Sequence, residues 1–296
     1  MSNELLSLPT TEQVVAQMFA GLDVRPNTQY EYSKRIHHFL GYLETYPLSV
    51  NSLLEYKCHL AEADMAVATK NKYLTCARVF LRECYRHGLL TKDITVNVKN
   101  FEQSKKHKVE GVSESEAKQL CEWMKTRGTP RLNALLSLLL FQGFRQVEVC
   151  RLQAKDIDLV SGTVWVLGKG RDDKEKVYLH SHTTEALKQY LKVIDLQPDD
   201  YLFTSSSRKS GSKGLTERGL RGIVLGVFEQ LGIEKNVHGL RHYFTTRLIQ
   251  HMPGELITVS RFTRHQSLEM LQVYNDSMMS KEDVARYSVA FDELLL

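Results

Sequence analysis

Between Asp156 and Ser181 the chain reads DIDLVSGTVWVLGKGRDDKEKVYLHS, and this stretch constrains the fold more than any other. β-Branched and aromatic residues recur there, cut by Ser161-Gly162 and again by a Gly-Lys-Gly turn, which is the pattern of a small antiparallel sheet. The first hundred residues contain no convincing alternation and read as helix after helix. Thr11 is placed to cap a segment burying Val14, Val15, Met18 and Phe19, and Asn27 or Thr28 to open a second in which Tyr32, Ile36, Phe39, Leu40 and Leu43 recur until Pro47. Ser49 is placed to cap a third through Leu53, Leu54 and Leu60. A fourth spans about Ala66 to His87, with Gly88 ending it. After the sheet, helices resume near Thr183. The predicted fold class is mainly α, with an N-terminal helical module followed by a mixed α/β domain holding a small antiparallel sheet.

A length of 296 residues suits one large domain or two ordinary ones, and two seams favour two. Residues 101–112, FEQSKKHKVEGV, lack helical periodicity and place Lys105, Lys106, His107 and Lys108 in a row, as a basic linker would. Directly after it, SESE at 113–116 starts a helix as a capping box, Ser113 being the cap and Glu116 the third residue. The expected division is a helical domain over 1–100, the linker over 101–112, a second domain over 113–280 and a tail over 281–296. No apolar run approaches eighteen residues, which excludes a membrane span, and MSNELLSLPTTEQ has no basic region ahead of an apolar stretch, so no secretory signal is read. Five cysteines without a CxxC pair argue for a reducing compartment, hence the cytoplasm. A net charge of +4 permits a nucleic-acid partner without demonstrating one.

Several familiar chemistries fail on residue type. His238 and His242 have the spacing of a zinc-hydrolase helix, but Gly239 stands where that helix needs glutamate. There is no GxxxxGK[ST] and no GxSxG, and the glycines at 168 and 170 belong to a hairpin. His180 and His182 around Ser181 read as a surface turn. Neither a cofactor nor a metal is expected.

Four segments remain: QGFRQVE at 142–148, VLGKGRDDKEK at 166–176, HGLRH at 238–242 and RHQSLEMLQVYN at 264–275. In this order they resemble the tyrosine recombinase (phage integrase) family. The matching features are a glycine-hydrophobe-arginine with an acid three residues on, a hairpin lysine, H-x-L-R-H, and a histidine nine residues before a tyrosine. The resemblance covers roughly residues 114–280 by motif, and the N-terminal module resembles the family's core-binding domain in type only.

The resemblance implies strand cleavage through a 3′-phosphotyrosyl intermediate, with no cofactor. It makes Tyr274 the nucleophile, Arg145 and Arg241 the phosphate clamp, Glu148 the residue that orients the guanidiniums, and Lys169 the general acid, with Lys174 in reserve. His238 becomes the acceptor of the phenolic proton and His265 a hydrogen-bonding partner of the phosphate. Arginine suits a pentacoordinate phosphorane because its planar fork gives two parallel hydrogen bonds and stays charged. Two departures stand out: Arg264 occupies the usual glycine position before the second histidine, where it alters the turn or adds a phosphate contact, and the basic residues after GKG come later than usual.

DNA contacts are expected from both regions. Lys70, Arg78, Arg82 and Arg86 lie on one row of the fourth helix, joined by the linker residues Lys105, Lys106 and Lys108, Lys34-Arg35 and the RKSGSKG loop at 208–214. Thr69 and Asn71 stand beside the row as candidate base readers. Ser280 can cap a final helix with Asp283 at its third position, and Val284, Tyr287, Val289, Ala290, Phe291 and Leu294 to Leu296 leave it apolar. That tail either folds back on its own domain or docks on a neighbouring protomer, as is common in the family. The implied partners are double-stranded DNA with paired half-sites and three further copies in a homotetramer, with accessory proteins left open. A type IB topoisomerase-like enzyme and an inactive DNA-binding regulator are the alternative readings. The short N-terminus has no obvious arm-binding domain.

Overall fold

The computed structural model describes residues 11–22, 24–103, 111–168, 170–205, 214–265, 267–269 and 271. The chain divides into two compact units, Met1–Lys105 and Lys106–Leu296.

The first unit holds α1 (Thr11–Gly21), α2 (Pro26–Thr45), α3 (Ser52–Glu62) and α4 (Val67–Arg86). Phe39, Tyr56 and Phe80 are fully buried, with Phe39 edge-on to Tyr56 at 4.8 Å and to Phe80 at 6.3 Å. Burying each such ring contributes about 1.5–3 kcal/mol. The Tyr56 hydroxyl, which would be costly to bury alone, meets His38 Nδ1 at 2.8 Å. Gly88 ends α4 at φ +72°, the Leu89 N–H donating to the Cys84 carbonyl and the Gly88 N–H to the Tyr85 carbonyl. Two helix starts differ from expectation. α2 opens at Pro26, ahead of Asn27 and Thr28, because proline lacks an N–H and its fixed φ suits the first helical position. Ser49 does not cap α3. Its hydroxyl accepts from the N–H of Asn51, the residue just before the helix, at 3.1 Å, while its own N–H donates to the Ser52 hydroxyl at 2.7 Å.

The second unit runs α5 (Glu114–Arg127), α6 (Pro130–Leu140), α7 (Gln146–Arg151), a 3-10 turn at Ala154–Asp156, β1 (Ile157–Asp158), β2 (Thr163–Leu167), β3 (Lys174–Tyr178), α8 (Ser181–Leu191), α9 (Glu217–Leu231), α10 (His238–His251) and α11 (Leu256–Thr263). The capping box forms as read: the Glu116 N–H donates to Ser113 Oγ at 3.2 Å and the Ser113 N–H to Glu116 Oε2 at 2.7 Å. Every residue of α6 from Ala134 to Leu140 is buried, as suits a helix that is apolar on all sides and serves as the centre of the core. The strands form one antiparallel sheet in the order β1-β2-β3, with Thr163 opposite Tyr178 and Leu167 opposite Lys174. Val164 and Val166 face inward and Trp165 outward, the alternation that fixes the register. His180 is more than a surface turn: it is the N-cap of α8, its Nδ1 accepting from the His182 N–H at 3.3 Å.

Lys169, Tyr274, the tail, the linker lysines 105, 106 and 108, and residues 208–213 of the basic loop lie outside the described residues. Among the described residues no helix is long and apolar enough to cross a membrane.

Candidate active site

The turn between α6 and α7 is the first support. Gly143 has φ +56°, and a Cβ there would stand 2.3 Å from the Phe244 ring on α10, so both backbone conformation and packing demand glycine. Two residues later the chain enters α7 with Arg145 as its N-cap. Glu148, at the third helical position and fully buried, accepts from the Arg145 N–H through Oε2 at 2.8 Å and from the Arg145 guanidinium through Oε1 at 2.7 Å. The short helix therefore orients the very arginine that precedes it.

Arg241 rises from the first turn of α10 and is 3% exposed. Its Nη1 donates to the Gly143 carbonyl at 2.6 Å, and its Nη2 donates to the Thr263 carbonyl and lies 3.4 Å from His265 Nε2. Arg145 Nη2 donates to the Arg264 carbonyl at 3.1 Å. Arg145, Glu148, Arg241 and His265, drawn from three distant segments, thus meet around the turn that follows α11. His238 starts α10 on the exposed side, its ring edge-on to His242 at 5.3 Å.

His265 is neutral. Burial pushes its pKa down first, and the charges of Arg241, Arg145 and Arg264 and the His238 ring push it further, to about 3. Arginine can only donate, so Nε2 facing Arg241 is the acceptor and the proton sits on Nδ1. Nδ1 lies 2.7 Å from Thr263 Oγ1, which itself donates to the Val259 carbonyl at 2.9 Å. The cluster holds the guanidiniums of Arg145, Arg241 and Arg264 against the buried Glu148 carboxylate and, at 4.0 Å from Arg264, Glu175, a surplus of positive charge suited to a phosphate.

Arg264 corrects the expectation of an added phosphate contact. It keeps the left-handed backbone a glycine would use, at φ +56°, and its side chain turns inward with 2% exposure to pair with Glu148 Oε2 at 3.0 Å. Sequence reading flagged the missing glycine, but not the direction of the side chain that replaced it.

Among the reserve and peripheral residues, Lys174 is paired with the buried Asp156 at 2.5 Å. On α4 the basic row is largely engaged within its own unit. Lys70 Nζ donates to the Ala61 carbonyl at 2.7 Å, Arg86 pairs with Glu83 at 2.6 Å, and Arg78 donates to the Val98 carbonyl at 2.7 Å and to Asn100 Oδ1 at 2.9 Å. The Asn71 side chain is engaged within its own unit: its amide donates to the Phe101 carbonyl at 3.0 Å and accepts from the Phe101 N–H at 2.8 Å. Among the described residues, no three His, Cys, Asp or Glu side chains gather as a metal site would require.

Residues 110–281, more than half of the chain, match the phage integrase family, and the chain belongs to that family, whose enzymes are the tyrosine recombinases. It is 25% identical over 267 residues to tyrosine recombinase XerD of Listeria innocua, spanning 84% of this chain and 87% of that one. To tyrosine recombinase XerC of Halalkalibacterium halodurans it is 27% identical over 270 residues, spanning 84% and 86%. The fold is similar to that of the Tn1549 transposon integrase solved with a circular intermediate DNA, with a TM-score of 0.71 at 13% identity over 94% of this chain and 98% of that one. It is also similar to the XerH site-specific recombinase bound to its difH substrate, at a TM-score of 0.62 and 20% identity over 93% and 88%.

Proposed function

We propose that this protein cuts and rejoins duplex DNA at specific sites, with Tyr274 as nucleophile and Arg145 and Arg241 as the phosphate clamp. The observation that carries the reading is the convergence of Arg145, Arg241 and His265 on one turn, backed by Glu148. The two guanidiniums receive the charge that builds on the nonbridging oxygens as the phosphorane forms. The Tyr274 Oη–P bond forms while the P–O5′ bond breaks. His238 takes the phenolic proton, without which a phenol of pKa near 10 is a poor nucleophile. Lys169 gives a proton to the departing 5′ oxygen, since Lys174 is committed to Asp156. A phosphotyrosyl ester retains the energy of the bond it replaces, so a 5′ hydroxyl from a second strand reverses the step without ATP.

The first unit serves as a core-binding domain and the basic linker joins it to the catalytic domain. Exchange between two duplexes calls for four cleavages, which four protomers on paired half-sites supply, the apolar tail docking on a neighbour. The work is done in the cytoplasm, on a mobile element or a replicon dimer. Sequence similarity to named tyrosine recombinases supports this reading over its alternatives. A nicked suicide substrate tests it: an adduct surviving denaturing electrophoresis in EDTA should form with the native chain and vanish in Tyr274→Phe while DNA binding persists. An adduct in the Phe variant would transfer the role to another residue, Tyr287 first.

A further inference from the structure

Arg264 lies behind the clamp, where the family pattern has glycine and so assigns no side chain a role. Its guanidinium sits over the Phe144 ring at 4.5 Å. Nη1 donates to the Phe262 carbonyl at 3.0 Å and reaches the Gln142 carbonyl at 3.4 Å, while Nη2 bonds Glu148 Oε2 at 3.0 Å and reaches the Gly143 carbonyl at 3.4 Å. These partners are the clamp's own supports. Glu148 orients Arg145, and the Gly143 carbonyl also receives Arg241. A non-glycine residue in left-handed backbone is strained, and a buried cation is costlier still, so this side chain must recover both through its contacts.

We propose that Arg264 is a positioning residue for strand cleavage, holding Glu148 and the Gly143 carbonyl so that Arg145 and Arg241 meet the phosphate together, without itself touching DNA. This rests on the cleavage reading above. The charged groups facing Glu148 are Arg145 from its own helix start and Arg264 from the turn after α11. Beyond them stand Arg241, His238 and His265, and Glu175 on β3, whose Oε1 is 4.0 Å from Arg264 Nε and whose Oε2 pairs with Arg171 at 2.8 Å. Burial acts to raise the Glu148 pKa, and the Arg264 charge, followed by the N–H and guanidinium of Arg145, outweighs it and holds the carboxyl below its ordinary range. Without the Arg264 charge the burial remains, so Glu148 takes up a proton at higher pH and releases Arg145.

Single-turnover cleavage of the suicide substrate, measured from acid to neutral pH with the full chain, tests this. Arg264→Gly, which suits the turn, should bind DNA within about twofold of the native chain yet cleave on the order of a hundredfold more slowly, with the acid limb of its rate profile moved to higher pH. Arg264→Gln should move the limb in the same direction, Arg264→Lys should keep it near its native position, and the move should be absent when Arg264→Gly is combined with Glu148→Gln. Should Arg264→Gly fail to fold, the Gln and Lys pair decides: the proposal is overturned if they share one acid limb, or if the neutral variants keep native rate and profile. A native chain that forms no adduct would instead overturn the cleavage reading, so the two failures are distinct.

Discussion

Arg145 and Arg241 donate to consecutive backbone carbonyls, those of Arg264 and Thr263. Two arginines far apart in sequence are thereby set side by side by a single turn, and the same turn carries His265. The arrangement ties the spacing of the two positive charges to the backbone, which is stiffer than any pair of side chains. Their difference in burial then separates their roles.

Arg145 is 23% exposed at its side chain and Arg241 is nearly enclosed. Arg145→Ala should lower single-turnover cleavage by about a hundredfold to a thousandfold with little change in melting temperature. Arg241→Ala should lower cleavage comparably and also destabilise the fold, because the Thr263 carbonyl loses its guanidinium donor and the Gly143 carbonyl keeps only the longer contact from Arg264. Rates and thermal melts of both variants check this, and losses of affinity as large as the losses of rate would make these arginines ordinary DNA contacts.

The pH dependence of stability should carry the mark of His265. Its ring titrates near 3 when folded and near 6.5 when unfolded, so between those values only the unfolded chain binds the proton. Stability therefore falls as pH is lowered through this window. Urea unfolding from pH 7 to pH 4.5 should show a shallower decline in His265→Gln than in the native chain, and parallel curves would refute the assignment.

On α4 the salt dependence of DNA binding should come from Arg82 more than from Arg78. Each phosphate contact adds about 0.9 to the slope of log affinity against log salt, so Arg82→Gln should lower it by up to about 1. Arg78→Gln should leave the slope nearly unchanged and cost about 1–2 kcal/mol of stability, since its guanidinium holds Val98 and Asn100. Filter binding across a salt series, with melts, separates the two.

Two glycines allow the Phe244 contact to be isolated. Gly143 and Gly254 both have positive φ, but only Gly143 would drive a Cβ into a ring, Gly254 having nothing within 4 Å. Alanine at 254 should cost about 1–2 kcal/mol, and alanine at 143 clearly more. Equal losses would mean that Phe244 yields without cost.

Local chemistry made much of the fold readable. The Ser113 and Glu116 capping box, the Gly88 helix end and the alternation of Val164, Trp165 and Val166 are written in neighbouring residues, and each forms as spaced. Three of the four motifs likewise named side chains that the fold brings to one turn, Arg145 with Glu148, Arg241 and His265. What sequence could not carry were contacts between distant segments. Asn71 and Arg78 look available to DNA in the sequence because nothing near them there signals Phe101 or Val98. For the same reason the sequence leaves Arg264 between an altered turn and a phosphate contact, since its partner Glu148 is more than a hundred residues away.

Glu148 closes its own position to drift. One oxygen caps α7 and meets Arg264 while the other holds Arg145. Aspartate is a methylene too short to reach both arginines, and glutamine would turn a donor towards one of them. Loss of Arg264 leaves the buried carboxylate with Arg145 alone as its counter-charge, and loss of Glu148 takes from the buried Arg264 its nearest one. The three segments that meet here can diverge only in step, so a substitution at 145, 148 or 264 that is harmless in another member of the family can be harmful in this one.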